Sequence, residues 1–184
     1  MPALTAVQVV RRLACDSGDD VLIQGAGGVT GGLLVVFAAA TGRRVVATCS
    51  SRAAARVRHC GASDILNYRA PDWQARARAR RGTASPSPST RYGVARQRCS
   101  RLLADGGRLA TITGDPPKTE RDILVVDAYV APDGPALEAA VAQLVARGLS
   151  TSIAGTHGLG DAAGVLHDVT QGHAQGASVL DPQR

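Results

Sequence analysis

A glycine-rich turn set between an apolar strand and an apolar helix constrains this chain more than any other feature. Val21-Leu22-Ile23-Gln24 has the length of a buried parallel strand, and Gly25-Ala26-Gly27-Gly28-Val29-Thr30-Gly31-Gly32 follows at once. Leu33 to Thr41 then continues as an apolar helix stopped by Gly42, and a second strand, Val45-Val46-Ala47-Thr48, comes close behind. This order of strand, turn, helix and strand is the setting that a dinucleotide-binding turn requires. Glycines permit a tight turn and let backbone N–H groups approach a pyrophosphate without Cβ interference. The helix N-terminus adds unpaired donors and a favourable dipole. The alternative is a turn with a purely structural role.

The spacing reads two ways. Gly25-x-Gly27 resembles the ordinary dehydrogenase fingerprint, whose third glycine would fall on Thr30. Gly25-x-x-Gly28-x-x-Gly31 resembles the variant of zinc-free quinone oxidoreductases and fits without a defect. Thr30 then lies at the helix start, either meeting a phosphate oxygen or simply capping the helix. The choice of nucleotide is made at the end of the second strand, where NAD binders usually place a carboxylate on the ribose hydroxyls. Here the chain reads Thr48-Cys49-Ser50-Ser51-Arg52, with no acid. A carboxylate would repel a 2′-phosphate, whereas two hydroxyls and a guanidinium bind it, which points to NADP. Arg56, one turn on, reinforces that reading. The alternative is a solvated Ser-Arg helix start.

The remaining pattern keeps the same alternation. Residues 4–14 read as a helix with Thr5 as N-cap, 51–60 as a basic helix and 64–67 as a third strand. Further strands fall at 108–112, 123–130, near 152–154 and at 178–180, with helices from Gly134 to Gly148 and from 161 to 170. Strands alternating with helices at this pitch predict an α/β fold, a Rossmann-type doubly wound parallel sheet covered on both faces. Residues 1–150 form the dinucleotide-binding domain and 151–184 a C-terminal return segment.

Apolar residues make up 45% of the chain and aromatics only 3%, so the core is aliphatic. The start, Met1 to Ala14, lacks a signal-peptide layout, and a cytoplasmic protein away from membranes is the expectation. Cys15, Cys49, Cys60 and Cys99 form no CxxC pair, and neither zinc nor disulfides are predicted. His59, His157, His167 and His173 are scattered and read as surface or cap histidines, Asp161 and Asp168 as helix-surface charges. The formal charge of +6 is confined: Arg76, Arg78, Arg80, Arg81, Arg91, Arg96, Arg98 and Arg101 fall where no acid occurs between Asp72 and Asp105. Without them the rest of the chain is net negative. With one Tyr and no regular helical face, the run is not read as a nucleic-acid site.

LTAVQVVRRL, the turn before VLIQGAGGVTGG, VVATCSS and GASDILNYR resemble, in order, the cofactor domain of NADPH-dependent quinone oxidoreductases of the medium-chain dehydrogenase/reductase superfamily. ADGGRLATITGDPP and LGDAAGVLHDVTQGHAQGASVLDP are similar to that family's late sheet and C-terminal return. The resemblance implies that Gly28, Val29, Thr30 and Gly31 contact the pyrophosphate. Ser50, Ser51, Arg52 and Tyr68 would surround the 2′-phosphate, unless Tyr68 is only a surface aromatic, and Thr113 and Gly114 would lie near the nicotinamide. It implies hydride transfer from NADPH to a quinone or enone, with no catalytic residue assigned and no metal. It also implies a homodimer through the sheet edge near 123–130. The alternative is a cofactor-binding module or truncated remnant without catalysis.

Two departures stand out. The family carries an N-terminal GroES-like catalytic domain before the helix that begins here at Leu4; this chain is expected to lack that domain, whose sheet the family's final strand joins. The final strand here is therefore expected to have an unpaired edge. Ala177 stands where the family often has lysine. Between Gly82 and Ser100, where the family has a hydrophobic central strand, a glycine loop and a helix, this chain reads TASPSPSTRYGVARQRC. Proline cannot donate to a central ladder, so a sheet weakened by a missing central strand is expected. One hypothesis is that residues around 82–100 are translated from a shifted reading frame. With suitable GC-rich codons, GTASPSPSTRYGVARQRCSR read one base over spells HRVAVAVNAVRGGAAALLT, a strand, a turn and an Ala-rich helix. The other explanation is a genuine disordered basic loop. Resequencing the gene across the codons for Trp73 to Asp105 decides: an apolar shifted reading is expected, and codons that cannot give one end the idea.

Overall fold

The computed structural model describes residues 1–14, 19–79, 92–94, 97–114, 116–118, 120–174 and 176–184. Six strands, β1 (Val21–Ile23), β2 (Val45–Cys49), β3 (Asp64–Asn67), β4 (Tyr92–Val94), β5 (Arg108–Thr111) and β6 (Leu124–Asp127), form one sheet. Its order is β3-β2-β1-β4-β5-β6 and every pairing is parallel. This is the doubly wound Rossmann order, with the chain reversing direction across the sheet between β1 and β4. The helices are α1 (Pro2–Leu13), α2 (Val29–Ala40), α3 (Ala54–His59), α4 (Trp73–Ala79), α5 (Gly134–Ala146) and α6 (Ala162–Thr170).

Both faces of the sheet are buried, and the strands sort their side chains by the two-residue period of extended chain. Val21, Ile23, Val45, Ala47 and Ala110 join α1, α2, α5 and Val57 in one cluster. Leu22, Val46, Leu66 and Leu109 point the other way, onto Ala77, Leu102, Leu103 and Ile123. α1 buries Leu4, Ala6, Val9 and Leu13 against that first layer. Gln8 ties it to the α5 side, its Nε2 donating to the Ala131 carbonyl at 2.8 Å while its Oε1 accepts from the Ala131 N–H at 2.9 Å. At the N-terminal end of the sheet Arg44 clamps three strand starts, donating to Asp20 at 2.6 Å and to Asp64. α5 is capped by Asp133, whose Oδ1 accepts from the Ala136 N–H at 2.9 Å.

Several sequence-based expectations need correction. α1 starts at Pro2 with Met1 as its N-cap, so Thr5 sits inside the helix with its hydroxyl on the Met1 carbonyl. Proline in the first turn sets the helix earlier than the apolar spacing does. α2 begins at Val29, taking the end of the glycine run into the helix. α4 had no expectation at all. The central strand is present: Tyr92, Gly93 and Val94 pair with β1 on one side and β5 on the other. Gly93 suits that place, since a Cβ there would lie 3.1 Å from Leu103 Cδ2. Pro86, Pro88 and most of the segment given to a shifted frame lie outside the described residues.

The C-terminal segment forms its own two-stranded sheet, in which β7 (Ile153–Gly158) and β8 (Ala177–Asp181) pair in parallel across α6. The far edge of β8 has no strand partner among the described residues. α6 buries none of its residues, and Leu166 is 64% exposed, so this unit is held by strand pairing more than by a core. No described helix is long and apolar enough to cross a membrane.

Leu103 is fully buried between the strands of the second face and fills the space that Gly93 leaves. Leu103→Ala is expected to destabilise the fold by about 2–5 kcal/mol, read from the midpoint of urea unfolding.

Candidate cofactor site

The site begins where β1 ends. Three backbone donors fix the turn: the Gln24 N–H on the Val94 carbonyl at 2.9 Å, the Gly25 N–H on Thr48 Oγ1 at 3.2 Å and the Ala26 N–H on the Thr48 carbonyl at 2.9 Å. The turn is thus tied to the C-terminal ends of β4 and β2, either side of the strand it leaves. Gly25 has φ +75°, a left-handed conformation that a side chain disfavours. Gly31 is required for a different reason. A Cβ on it would stand 2.2 Å from the Gly25 carbonyl oxygen and 2.9 Å from the Ala26 Cα, so the first turn of α2 lies directly on the preceding loop.

These distances bear on the two spacings. The close approach belongs to Gly31, the last glycine of the Gly25-x-x-Gly28-x-x-Gly31 reading, while Thr30 is free to carry a side chain. Gly27 is close-packed too, its Cβ position lying 3.2 Å from Ala53 Cβ. Gly28 is the N-cap of α2, with no side-chain cap, so Thr30 is not the cap. The first N–H groups of a helix have no partner within it. Here they open onto a cavity.

That cavity, about 560 Å³, is lined by Gln24, Gly28, Val29, Thr30, Gly31, Leu34, Thr48, Tyr68, Trp73, Val94, Ile112 and Thr113 among others. It spans the crevice at the strand reversal, where open α/β sheets bind ligands. A second cavity of about 840 Å³ lies at the end of β2, lined by Gly28, Cys49, Ser50, Ser51, Arg52, Arg56, Tyr68, Arg69 and residues 172–174. Both volumes lie in the usual range of ligand pockets. Gly25, Gly28 and Tyr68 line both. The structure therefore brings Gly28, Val29, Thr30, Gly31, Tyr68 and Thr113 to one cavity, and Ser50, Ser51 and Arg52 to the next. Gly114 lines neither; a Cβ on it would lie 3.4 Å from the Tyr129 hydroxyl.

The second cavity is basic and holds no carboxylate among its described lining. Arg56 does two things there. Its Nη2 donates to the Gly27 carbonyl at 2.7 Å, bracing the glycine turn, and its side chain lines the cavity wall. Ser51 Oγ accepts from Asn67 Nδ2 at 3.0 Å, and Asn67 Oδ1 accepts from the Arg69 N–H at 3.0 Å. The Arg69 guanidinium sits 5.8 Å from the Tyr68 ring centroid. Burial pushes the Cys49 thiol above its ordinary range, with Arg56 and Arg58 pulling the other way. The wall it offers at neutral pH is an uncharged thiol. Thr113, in the wall of the first cavity, shares a hydroxyl contact of 3.0 Å with buried Thr111.

Sequence reasoning missed Asn67, Arg69, Trp73, Ile112 and the turn at 172–174. Asn67 and Arg69 flank Tyr68, so their neighbourhood was visible. Trp73 and the distant turn carry no local signal, because only the sheet topology brings them here. Among the described residues, no group of three or more His, Cys, Asp or Glu is placed to hold a metal.

Substitution separates the crowded glycine from its neighbour. Gly31→Ala is expected to cost about 1–3 kcal/mol of stability through overpacking against backbone. Gly32→Ala, whose Cβ would meet only the Ala26 carbonyl at an ordinary 3.5 Å, is expected to be neutral or stabilising by up to about 1 kcal/mol. Urea unfolding of both variants makes the comparison.

No protein-family model matches the chain, and no curated protein does. Solved structures match in fold. An NAD-dependent alcohol dehydrogenase superposes with a TM-score of 0.78 at 24% identity, over 98% of this chain and 56% of its own. The quinone oxidoreductase from Coxiella burnetii gives 0.77 at 19% identity, over 98% and 58%. A mycobacterial protein complexed with NADPH gives 0.75 at 21%, over 99% and 62%. The chain thus spans 56% to 62% of the length of these three structures. At such identities the likeness is one of fold: the chain has a Rossmann-type α/β fold like that of the matching part of these structures.

Proposed function

We propose that the chain is the NADPH-binding part of an oxidoreductase that reduces a small carbonyl-conjugated substrate, a quinone or an enone. One observation carries the nucleotide: the uncapped start of α2 and the basic, carboxylate-free cavity at the end of β2 adjoin through Gly28 and Tyr68. A dinucleotide needs both, donors for its pyrophosphate and a wall that tolerates the ribose phosphate.

The residues present fit that ligand. Gly31 leaves no Cβ between helix and loop, which keeps the helix N-terminus at the switch point. Val29, Thr30 and Gly31, at the start of α2, would present backbone N–H groups to the pyrophosphate. Ser50, Ser51 and Arg52 would hold the 2′-phosphate, with Asn67 orienting the Ser51 hydroxyl and Arg56 securing the turn. Val94 and Ile112, with Thr113, give the first cavity an apolar stretch of wall, which a nicotinamide ring would need. When bound, NADPH supplies the hydride; the protein's part is to position it and exclude water. No proton donor is assigned among the described residues. The reading includes a pair of chains joined along the outer edge of β6, beside which Leu124 and Tyr129 are exposed.

Fluorescence titration with NADPH and NADH tests this. NADPH is expected to bind at least about tenfold tighter than NADH, and Arg52→Ala to remove most of that margin while leaving NADH nearly unchanged. Equal affinity for the two overturns the phosphate assignment. Oxidation of NADPH on adding a quinone or enone supports the reductase; tight binding without turnover leaves a cofactor-binding module.

A further inference from the structure

The turn between α6 and β8 reads in sequence as plain surface. In the fold its residues Gly172, His173 and Ala174 form part of the wall of the second cavity, together with Ser50, Ser51 and Arg52. His173 is held there from its own helix. Its backbone N–H donates to the Asp168 carbonyl at 2.9 Å, and its Nδ1 lies 3.6 Å from Asp168 Oδ1. With Nδ1 turned to a carboxylate, Nε2 is the ring nitrogen left to meet an anion.

The groups around it differ in kind. Arg52, Arg56 and Arg69 are permanent cations, and Cys49, its thiol pushed up by burial, stands with Tyr68 in the same wall. On the other side His173 shares a hollow of about 270 Å³ with Asp168 of α6 and His157 of β7. Of the side chains lining the phosphate cavity, only an imidazole changes charge across neutral pH as a residue type. An imidazolium there adds a cation beside the existing arginines.

We propose that His173 is a specificity-determining residue that makes recognition of the ribose 2′-phosphate pH-dependent. This rests on the NADPH reading above. The imidazolium strengthens the hold on the phosphate as pH falls from about 8 to about 6, and NADH, lacking the phosphate, does not respond. The ligand's own phosphate takes up a second proton near pH 6, which opposes the effect. That loss is common to parent and variant, so the comparison at each pH isolates the side chain.

The test measures dissociation constants for NADPH and NADH near pH 6 and near pH 8, using emission of Trp73, the sole tryptophan, which lines the adjoining cavity. His173→Gln is expected to weaken NADPH binding about fivefold near pH 6 and less than about twofold near pH 8, with NADH unchanged. His173→Arg, carrying a fixed charge, is expected to bind NADPH tightly at both. His157→Gln is expected to behave as the parent protein. Equal losses at both pH values, or a matching loss for NADH, overturn the role of His173 while leaving the phosphate pocket standing. A parent protein that does not prefer NADPH at either pH overturns the pocket itself, and His173 with it.

Discussion

The close approach of Gly31 to the Gly25 carbonyl governs how α2 meets the glycine turn and the cavities beside it. With no Cβ at that point, α2 descends onto the turn it has just left, and its N-terminus is held at the edge of the sheet. Thr48 and Val94 then fix the turn from both sides by backbone and hydroxyl hydrogen bonds. A methyl group at Gly31 would have to displace backbone rather than a flexible side chain. Helix, turn and both neighbouring strands would have to move together.

The parallel sheet sets where this contact can matter. Its strands are buried on both faces, so ligands are left the ends, and the reversal between β1 and β4 leaves a crevice there. The two cavities open at that end and at the end of β2, one largely apolar and one basic. At the opposite end Arg44 gathers Asp20 and Asp64, holding the starts of three strands together. Structural charge and ligand-facing charge are thus kept at opposite ends of the same strands.

Much of this is legible locally. The glycine turn, the acid-free end of β2 and most strands follow from residues adjacent in sequence, where periodicity and turn chemistry act. The misreadings have equally local causes. Thr5 looked like a cap, but Pro2 had already started the helix. The central strand was expected to be missing because prolines and serines precede it, yet three residues, Tyr92 to Val94, are enough to bridge β1 and β5. Trp73, on a short helix that is mostly arginine and alanine, gives no periodic signal, and only packing turns it toward the crevice at the strand reversal.

The sequence by itself determined the fold class, the position of the glycine turn and the chemistry at the end of β2, because each depends on a few neighbouring residues. Tertiary structure alone decided that Gly31 is the crowded glycine, that Arg56 braces Gly27 while facing the basic cavity, and that Asn67 holds the Ser51 hydroxyl. It also brought His173, more than a hundred residues away in the chain, to the wall beside Ser50. Distances between elements are set by how sheet and helices close on one another. A parallel sheet collects strand ends that the chain visits far apart, so the residues lining these cavities meet only once the sheet has formed.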